Sequence, residues 1–407
     1  MHQGASLRFA GFCNTPLPRK QMKGFRAIFM QSCAEIARRP VCWIGFFVLP
    51  LMLTFMLTNL MEVGLPTRIP AAIVDMDHTS TSRKLTQTLN GMQMVHITKA
   101  TESYTEAHHD MQRGEVYGYF LIPRNFEQDL LSGRRPVITF YTNTAYYVPA
   151  NLLYKTFKLT ATYSKAGVIS SVLSNTGMSD EEIAGMLSPV TVVTRPIGNP
   201  QLNYSIYLTN SFLPAVFQLM IMMMTCYLIC DDIKYGFSRY YLARAGGSIF
   251  RLLAAKLLPS LIIWLVEIMF MYSMLFFWCG YPMNGSHTWM ILSEVLFVLA
   301  SMGMGLLFAC IIPNMRLALS NCALVGILSF SLAAFSFPVE SMYGAVGIFS
   351  YILPTRYNFL IYIDQALNGI DIYYSRWWFV AYIIFIVLPL PFLPRLRRAM
   401  ARPVYAP

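Results

Sequence analysis

The sequence predicts an α-helical polytopic membrane protein with six transmembrane helices and an α/β extracytoplasmic domain inserted between helices 1 and 2. Of its 407 residues, 56% are apolar and only 13% are charged, about half the charged fraction of an ordinary soluble protein. The apolar residues fall into six segments that are long enough, or nearly so, to cross a bilayer as helices. A single long polar stretch, residues 62–206, separates the first segment from the second.

The six predicted transmembrane helices follow from segment length and from the scarcity of charge. Four of the segments contain no charged residue, and a helix of about 20 residues covers the ~30 Å hydrocarbon core. Helices are expected because lipid cannot satisfy unpaired backbone groups. The predicted helices are residues 41–61, 207–230, 257–278, 289–312, 318–337 and 377–394.

The distribution of basic residues predicts the orientation. Of the 31 Lys and Arg residues, 17 lie in the segments that are cytoplasmic if both termini are inside, as the positive-inside rule favours. Residues 62–206 are then extracytoplasmic, and residues 338–376 form an outer segment that is a candidate for a re-entrant loop. We assign the basic residues to anionic membrane lipid and not to nucleic acid. The predicted cytoplasmic parts are an N-terminal segment with an interfacial helix (1–40), a coupling loop (231–256), a short loop (313–317) and a basic tail (395–407).

The inserted stretch has the pattern of an independent α/β domain. Short β-rich runs alternate with polar, helix-permissive stretches, which indicates helices packed on a sheet. The predicted strands are 71–74, 94–97, 117–122 and 137–141, and the predicted helices are 82–89, 103–112, 125–131 and 150–175.

Several motifs resemble one family. Ile73-Val74-Asp75-Met76-Asp77 and the segment 114–133 resemble the extracytoplasmic domain of ABC-2 type (ATP-binding cassette) exporter permeases. The resemblance implies a permease subunit of a drug-type exporter in the bacterial inner membrane, which moves a hydrophobic or amphiphilic small molecule outward. Toward the C-terminus, the residues that resemble the family's outer segment are Pro338, Leu353, Pro354, Thr355 and Tyr357.

The same resemblance implies partners. The permease is expected to pair with a second copy or a sister permease and to be driven by a separate ABC ATPase subunit, which binds the ATP and Mg²⁺. A periplasmic adaptor is a further partner that the outer domain could dock. The chain itself has no Gly-Lys dipeptide, which a P-loop requires. We therefore predict a non-enzymatic subunit without its own cofactor, catalytic or metal site.

Two cytoplasmic places resemble the family's contacts with its ATPase. Before the first predicted helix lie Glu35, Arg38 and Arg39, and after the second lies an acidic segment with a glycine. The sequence departs from the family after that glycine, because Phe237 and Arg239 stand where a threonine and an acidic residue are usual. The predicted coupling residues of this second place are Asp231, Asp232, Lys234, Tyr235, Gly236, Phe237 and Arg239.

A candidate translocation path is marked by Glu267 with Met223 and Met271. A carboxylate near the bilayer midplane costs roughly 2.5 to 3.5 kcal/mol on insertion scales, and deformable thioethers suit varied apolar substrates. The alternatives are a neutral glutamic acid that holds helices together and methionines that serve ordinary packing.

Three other functions remain open on the sequence. One is a permease for lipid-linked or polysaccharide substrates, and another is a non-transporting membrane scaffold that displays the outer domain. The third is proton-driven transport through Glu267.

Overall fold

The computed structural model describes residues 24–60, 64, 66–132, 134, 136–175, 198–199, 203–335 and 337–403. The predicted N-terminal segment up to residue 23, residues 62–63 and most of 176–202 in the predicted 62–206 domain, and the last four residues of the predicted tail lie outside the described residues. The chain divides into two compact units, Val63–Pro196 and the remainder.

The unit between residues 63 and 196 contains a four-stranded sheet with helices, as the alternating pattern predicts. Its strands are β1 (Ile69–Asp75), β2 (Val95–Thr101), β3 (Gly118–Ile122) and β4 (Thr139–Thr142). Its helices are α3 (Ser80–Asn90), α4 (Tyr104–Arg113), α5 (Phe126–Leu131) and α6 (Tyr147–Asn175).

The strand order β2-β1-β3-β4 explains how this sheet is covered. β1 pairs in parallel with both β2 and β3, while β4 runs antiparallel to β3. The connection from β1 through α3 to β2 runs one way across the sheet, and the connection from β2 through α4 to β3 runs the other way. Because both crossovers are right-handed, α3 and α4 pack on opposite faces. Leu85 of α3 and Phe157 of α6 share one apolar core, whereas Ala107 of α4 packs with Tyr119 in the other.

Helix caps and an ion cluster fix α3 and α4. The Thr79 hydroxyl accepts the Ser82 amide, and the Ser103 hydroxyl accepts the Glu106 amide, which satisfies donors at each helix start. Asp110 accepts hydrogen bonds of 2.7 Å from Lys99 and from Arg113. Those bonds hold the pKa of the Asp110 carboxyl below its usual value.

The larger unit is helical, and the prediction of six apolar helices is confirmed for the described residues. Helix α1 (Phe25–Arg38) precedes the first of them, and α8 (Ser238–Arg244) follows the second. The remaining short helices are α12 (Gly344–Ser350) and α13 (Pro354–Ile361, continued as a π-helix to Asn368). The six candidate spans are α2 (Pro40–Leu60), α7 (Tyr204–Lys234), α9 (Ile249–Trp278), α10 (His287–Ile311), α11 (Met315–Leu332) and Ile372–Ala401, which comprises α14 (Ile372–Val387) and α15 (Leu393–Ala401).

Helix α7 is the centre of this unit. It packs against α2, α9, α10, α11 and α13, and it is the most buried of the six candidate spans, whereas α11 is the least buried. Buried residues lie on every side of α7, and most of them are apolar or small, as a helix surrounded by other helices requires.

Contacts between connecting segments define two ends of the helical unit. At one end, the Ser238 hydroxyl of α8 donates to the Met400 carbonyl of α15 at 3.0 Å. At the other, the Asn284 amide donates to the Leu367 carbonyl at 2.7 Å. We refer to them as the α8 end and the α13 end.

Helix α7 extends beyond the segment 207–230 that apolar composition marks. It ends at Lys234, so Asp231 and Asp232 lie on its last turn and not in a loop. Buried charged residues are tolerated in a helix when oppositely charged side chains pair with them. Arg39 pairs with Asp231, and Lys256 pairs with Asp232.

Candidate functional site

Four helices bring charged side chains together at the α8 end. Glu35 is on the last turn of α1, Arg39 follows that helix, and the two aspartates close α7. Tyr241 comes from α8 and Lys256 from the second turn of α9. The ionic cluster, as we call this group, consists of Glu35, Arg39, Asp231, Asp232, Tyr241 and Lys256.

Lys256 is the centre of the ionic cluster. Its ammonium forms a close ion pair with Asp232 and lies 3.3 Å from Glu35 Oε2. It also lies 4.8 Å from the centre of the Tyr241 ring, within the range of a cation–π contact. The Lys256 side chain is 2% exposed, and a charge buried to this extent is tolerated because it is paired.

Arg39 and Tyr241 complete the cluster from its two sides. The Arg39 guanidinium pairs with Asp231, while the Tyr241 hydroxyl donates to Glu35. Although burial opposes the charged form, the Asp231 carboxylate raises the pKa of Arg39 above its usual value. Burial and the neighbouring Glu35 carboxylate raise the pKa of Tyr241, so the phenol remains a donor. The cluster therefore ties α1, α7, α8 and α9 together through charged contacts.

The predicted coupling residues divide into a buried and an exposed group. Glu35, Arg39, Asp231 and Asp232 meet in the ionic cluster, and the two aspartates are buried. Arg38 is exposed, away from the cluster. The residues after α7 face outward, with Tyr235 60% and Phe237 43% exposed. We define the loop surface as the half-buried Lys234 and the exposed residues Tyr235, Gly236, Phe237, Arg239 and Tyr240.

The predicted outer motif lies mostly inside the helical unit. Pro338 is exposed, but Leu353, Pro354, Thr355 and Tyr357 are buried. Leu353 precedes helix α13, and Pro354, Thr355 and Tyr357 lie in its first turn. The helical unit surrounds this helix.

A polar contact connects this motif to α7. The Thr355 amide donates to Gln218 Oε1 at 2.7 Å, and the Thr355 hydroxyl donates to the same oxygen. Gln218 Nε2 in turn donates to the Ser329 hydroxyl of α11 at 2.8 Å. Gln218 therefore joins α7, α11 and α13 inside the unit.

The predicted path residues are not all on one surface. Glu267 and Met271 lie one turn apart on the buried face of α9, whereas Met223 is half-buried on α7. Glu267 Oε2 is buried and has no hydrogen-bond partner within the part of the chain that the structure describes. The second intramembrane carboxylate, Glu294, also has a buried Oε2 without a partner in the described residues, but Asn358 donates to its Oε1 at 3.1 Å.

The ionic cluster and the Gln218 contact contain residues that were not among the predicted site residues. Lys256 and Tyr241 join the cluster, and Gln218 holds the outer motif. For Lys256 a signal exists in the sequence, because it is a lysine immediately before an apolar segment of 22 residues. Tyr241 and Gln218 have no comparable signal. In the described ranges, no group of three or more His, Cys, Asp or Glu residues is arranged to hold a metal ion.

Six apolar helices, a charged cluster at one end and a small inserted sheet define a multi-pass membrane protein with a second, α/β unit. The chain belongs to the ABC-2 family transporter proteins, whose family model matches residues 41–390. This family consists of membrane permease components of ABC transporters.

Two curated relatives agree with this assignment. The probable multidrug ABC transporter permease YbhS of Escherichia coli K12 is 23% identical over 339 residues, which cover 82% of this chain and 85% of the relative. The protein of the same name from Escherichia coli O157:H7 matches with the same identity and coverage.

Proposed function

We propose that this chain is the permease subunit of an ATP-driven exporter in the bacterial inner membrane, with the α8 end in the cytoplasm. The observation that carries the proposal is the ionic cluster, which joins α1, α7, α8 and α9 while the loop surface beside it stays exposed. A separate ATPase subunit, which binds ATP and Mg²⁺, would push on the loop surface. Because the cluster links the four helices, they would move together and change access to the path between them.

The relatives and one apolar cavity support a proposal for the substrate class. The curated relatives are named as multidrug permeases, and we propose a hydrophobic or amphiphilic small molecule as the substrate here. A small cavity of about 190 Å³ between α2 and α7 is lined by Leu57, Leu208, Thr209 and Phe212.

We further propose that the chain pairs with a second permease, and that the unit formed by residues 63–196 lies outside the membrane, where an adaptor could dock.

The proposal is tested by reconstituting the chain with its ATPase in lipid. We expect ATP hydrolysis to rise severalfold when an amphiphilic substrate is added. Gly236→Pro should abolish this stimulation, because Gly236 has a φ of 76° and proline is restricted to about −65°.

Gly344→Pro is the matched control. Gly344 is the first residue of α12 and has open space around it, and proline is tolerated at a helix start. Wild-type protein that fails to stimulate hydrolysis, or Gly236→Pro protein that stimulates it fully, would contradict the proposed coupling.

Glu267 is proposed to attract cationic groups of substrates into the path. Within the described residues, its buried Oε2 on α9 has no hydrogen-bond partner that would compete with such a group. A hydrogen bond to a charged group contributes about 1.5–3 kcal/mol, so Glu267→Gln should reduce export of a lipophilic cation by roughly tenfold or more. Export of a neutral substrate of similar size should change little.

Glu294→Gln is the comparison variant, since Asn358 already satisfies one oxygen of Glu294. We expect it to export the lipophilic cation nearly as well as the wild type. If Glu267→Gln reduces export of both substrates equally, the Glu267 carboxyl has a structural role and does not attract cations. A flux that needs a pH gradient but no ATP would favour proton-driven transport instead.

A further inference from the structure

Arg356, in the first turn of α13, lies near the middle of the helical unit. Its neighbour Thr355 bonds to Gln218, which is halfway along α7. At 1.5 Å per residue, this point is about 20 Å from either end of α7. Arg356 is only 7% exposed. A guanidinium, which stays charged in proteins, is therefore buried at a depth where charged residues are rare.

The charge of Arg356 is not paired as that of Lys256 is. Lys256 contacts the carboxylates of Asp232 and Glu35. Arg356 forms no ion pair with an Asp or Glu among the residues that the structure describes, and its polar contact is with a serine hydroxyl. A buried charge without a counter-charge is strongly unfavourable. An anion that binds beside Arg356 would remove this cost.

Most donors of the Arg356 guanidinium have no partner in the described part of the chain. Nη1 donates to the Ser350 hydroxyl at 3.1 Å, and Nε is buried without a partner. The Tyr351 ring lies 4.8 Å from the guanidinium carbon, a contact that stabilises a cation. A guanidinium has five N–H donors in a planar fork, which matches a carboxylate that accepts two parallel hydrogen bonds.

An apolar surface adjoins this arginine. Between α12 and α13, and on the last turns of α12, Ile348, Phe349, Tyr351 and Ile352 are all exposed. Because Tyr351 both contacts the guanidinium and is exposed, Arg356 lies just beneath this surface. From residue 341 to residue 355 the sequence contains no Asp, Glu, Lys or Arg. An acid group that reaches Arg356 along this segment therefore meets neither a repelling carboxylate nor a competing cation.

We infer that Arg356 binds the carboxylate of an anionic amphiphile, whose apolar body lies on the exposed segment 348–352. The depth of Arg356 favours a small amphiphile over a phospholipid, because a phospholipid phosphate lies about 15 Å or more from the bilayer centre. The inference extends the proposed substrate class to acids, beside the cations assigned to Glu267. Since binding needs no ATPase, its failure would leave the proposed ATP-driven function standing.

Binding of radiolabelled laurate to the purified full-length chain in a nonionic detergent tests this inference. We expect saturable binding, for which dodecanol, with the same chain length and no charge, competes roughly tenfold or more less well than laurate. Arg356→Gln should weaken laurate binding by a similar factor. Arg356→Lys should fall between it and the wild type, because an ammonium lacks the planar fork. Arg376→Gln, at an exposed arginine beside the Tyr373 ring, should leave the affinity within about twofold.

The comparison of laurate with dodecanol uses the wild-type chain and decides the question even if Arg356→Gln does not fold. Equal competition by the two compounds would show an apolar surface without an acid site and would overturn the inference. Unchanged laurate binding in folded Arg356→Gln protein, or equal losses in Arg356→Gln and Arg376→Gln, would overturn it as well. Displacement of laurate by phosphatidylglycerol at lower concentration than by laurate itself would confirm the acid site and assign its ligand to the membrane lipid.

Discussion

Replacing Lys256 by methionine is expected to destabilise the chain by about 3–5 kcal/mol, the usual effect of removing one partner from a buried ion pair. The substitution leaves the Asp232 and Glu35 carboxylates without their shared cation. Loss of the cation should affect Asp232 more than Glu35, because the second oxygen of Asp232 is buried without a hydrogen-bond partner in the described part of the chain. Thermal unfolding of the purified protein in detergent measures this effect, and stimulation of the ATPase should be lost with it.

Two variants separate charge pairing from simple loss of the lysine. Lys256→Met combined with Asp232→Asn should recover part of the lost stability, since it removes the buried unpaired charge. Arg38→Met, which removes an exposed cation from α1, should change the stability by no more than about 0.5 kcal/mol. A Lys256→Met protein that unfolds at the wild-type temperature would show that the cluster does not hold the helices together.

The second large effect is expected where α7 and α10 meet. A Cβ placed on Gly305 would lie 2.6 Å from the Met222 carbonyl oxygen and 2.9 Å from its Cα. Because both atoms belong to the backbone of α7, no side-chain rotation relieves the clash. Gly305→Val should therefore force the helices apart and destabilise the protein by about 1–3 kcal/mol.

Gly344→Val is the matched control for this substitution, because a Cβ there meets no atom within 4 Å. Unfolding temperature and monodispersity in detergent are the measurements. Similar unfolding temperatures for the two variants would mean that α7 and α10 do not approach as closely as the structure shows.

The sequence is sufficient to predict the number of apolar helices and the existence of the sheet. Length and absence of charge identify a helix such as α2 without any knowledge of its neighbours. Likewise, β3 follows from a short β-rich run between two helix-permissive stretches. Both are local patterns, and local patterns are visible in a single sequence.

The contacts within the site could not be predicted in the same way. Lys256 pairs with Glu35, which lies 221 residues earlier, and Gln218 binds Thr355 at a separation of 137 residues. Glu35 and Thr355 were predicted as site residues, but nothing in the sequence paired them with Lys256 and Gln218. The end of α7 was also set by distant residues, because Asp231 and Asp232 are helical and buried only where Arg39 and Lys256 pair with them.

Photo-crosslinking from single positions in the assembled complex tests directly whether the α8 end faces the ATPase. A photoreactive residue is placed at Tyr235, on the loop surface, or at Tyr343, an exposed tyrosine in the segment between α11 and α12. We expect a crosslink to the ATPase from position 235 and none from position 343. The absence of any crosslink from position 235, or equal crosslinking from both positions, would contradict the claim that the α8 end faces the ATPase.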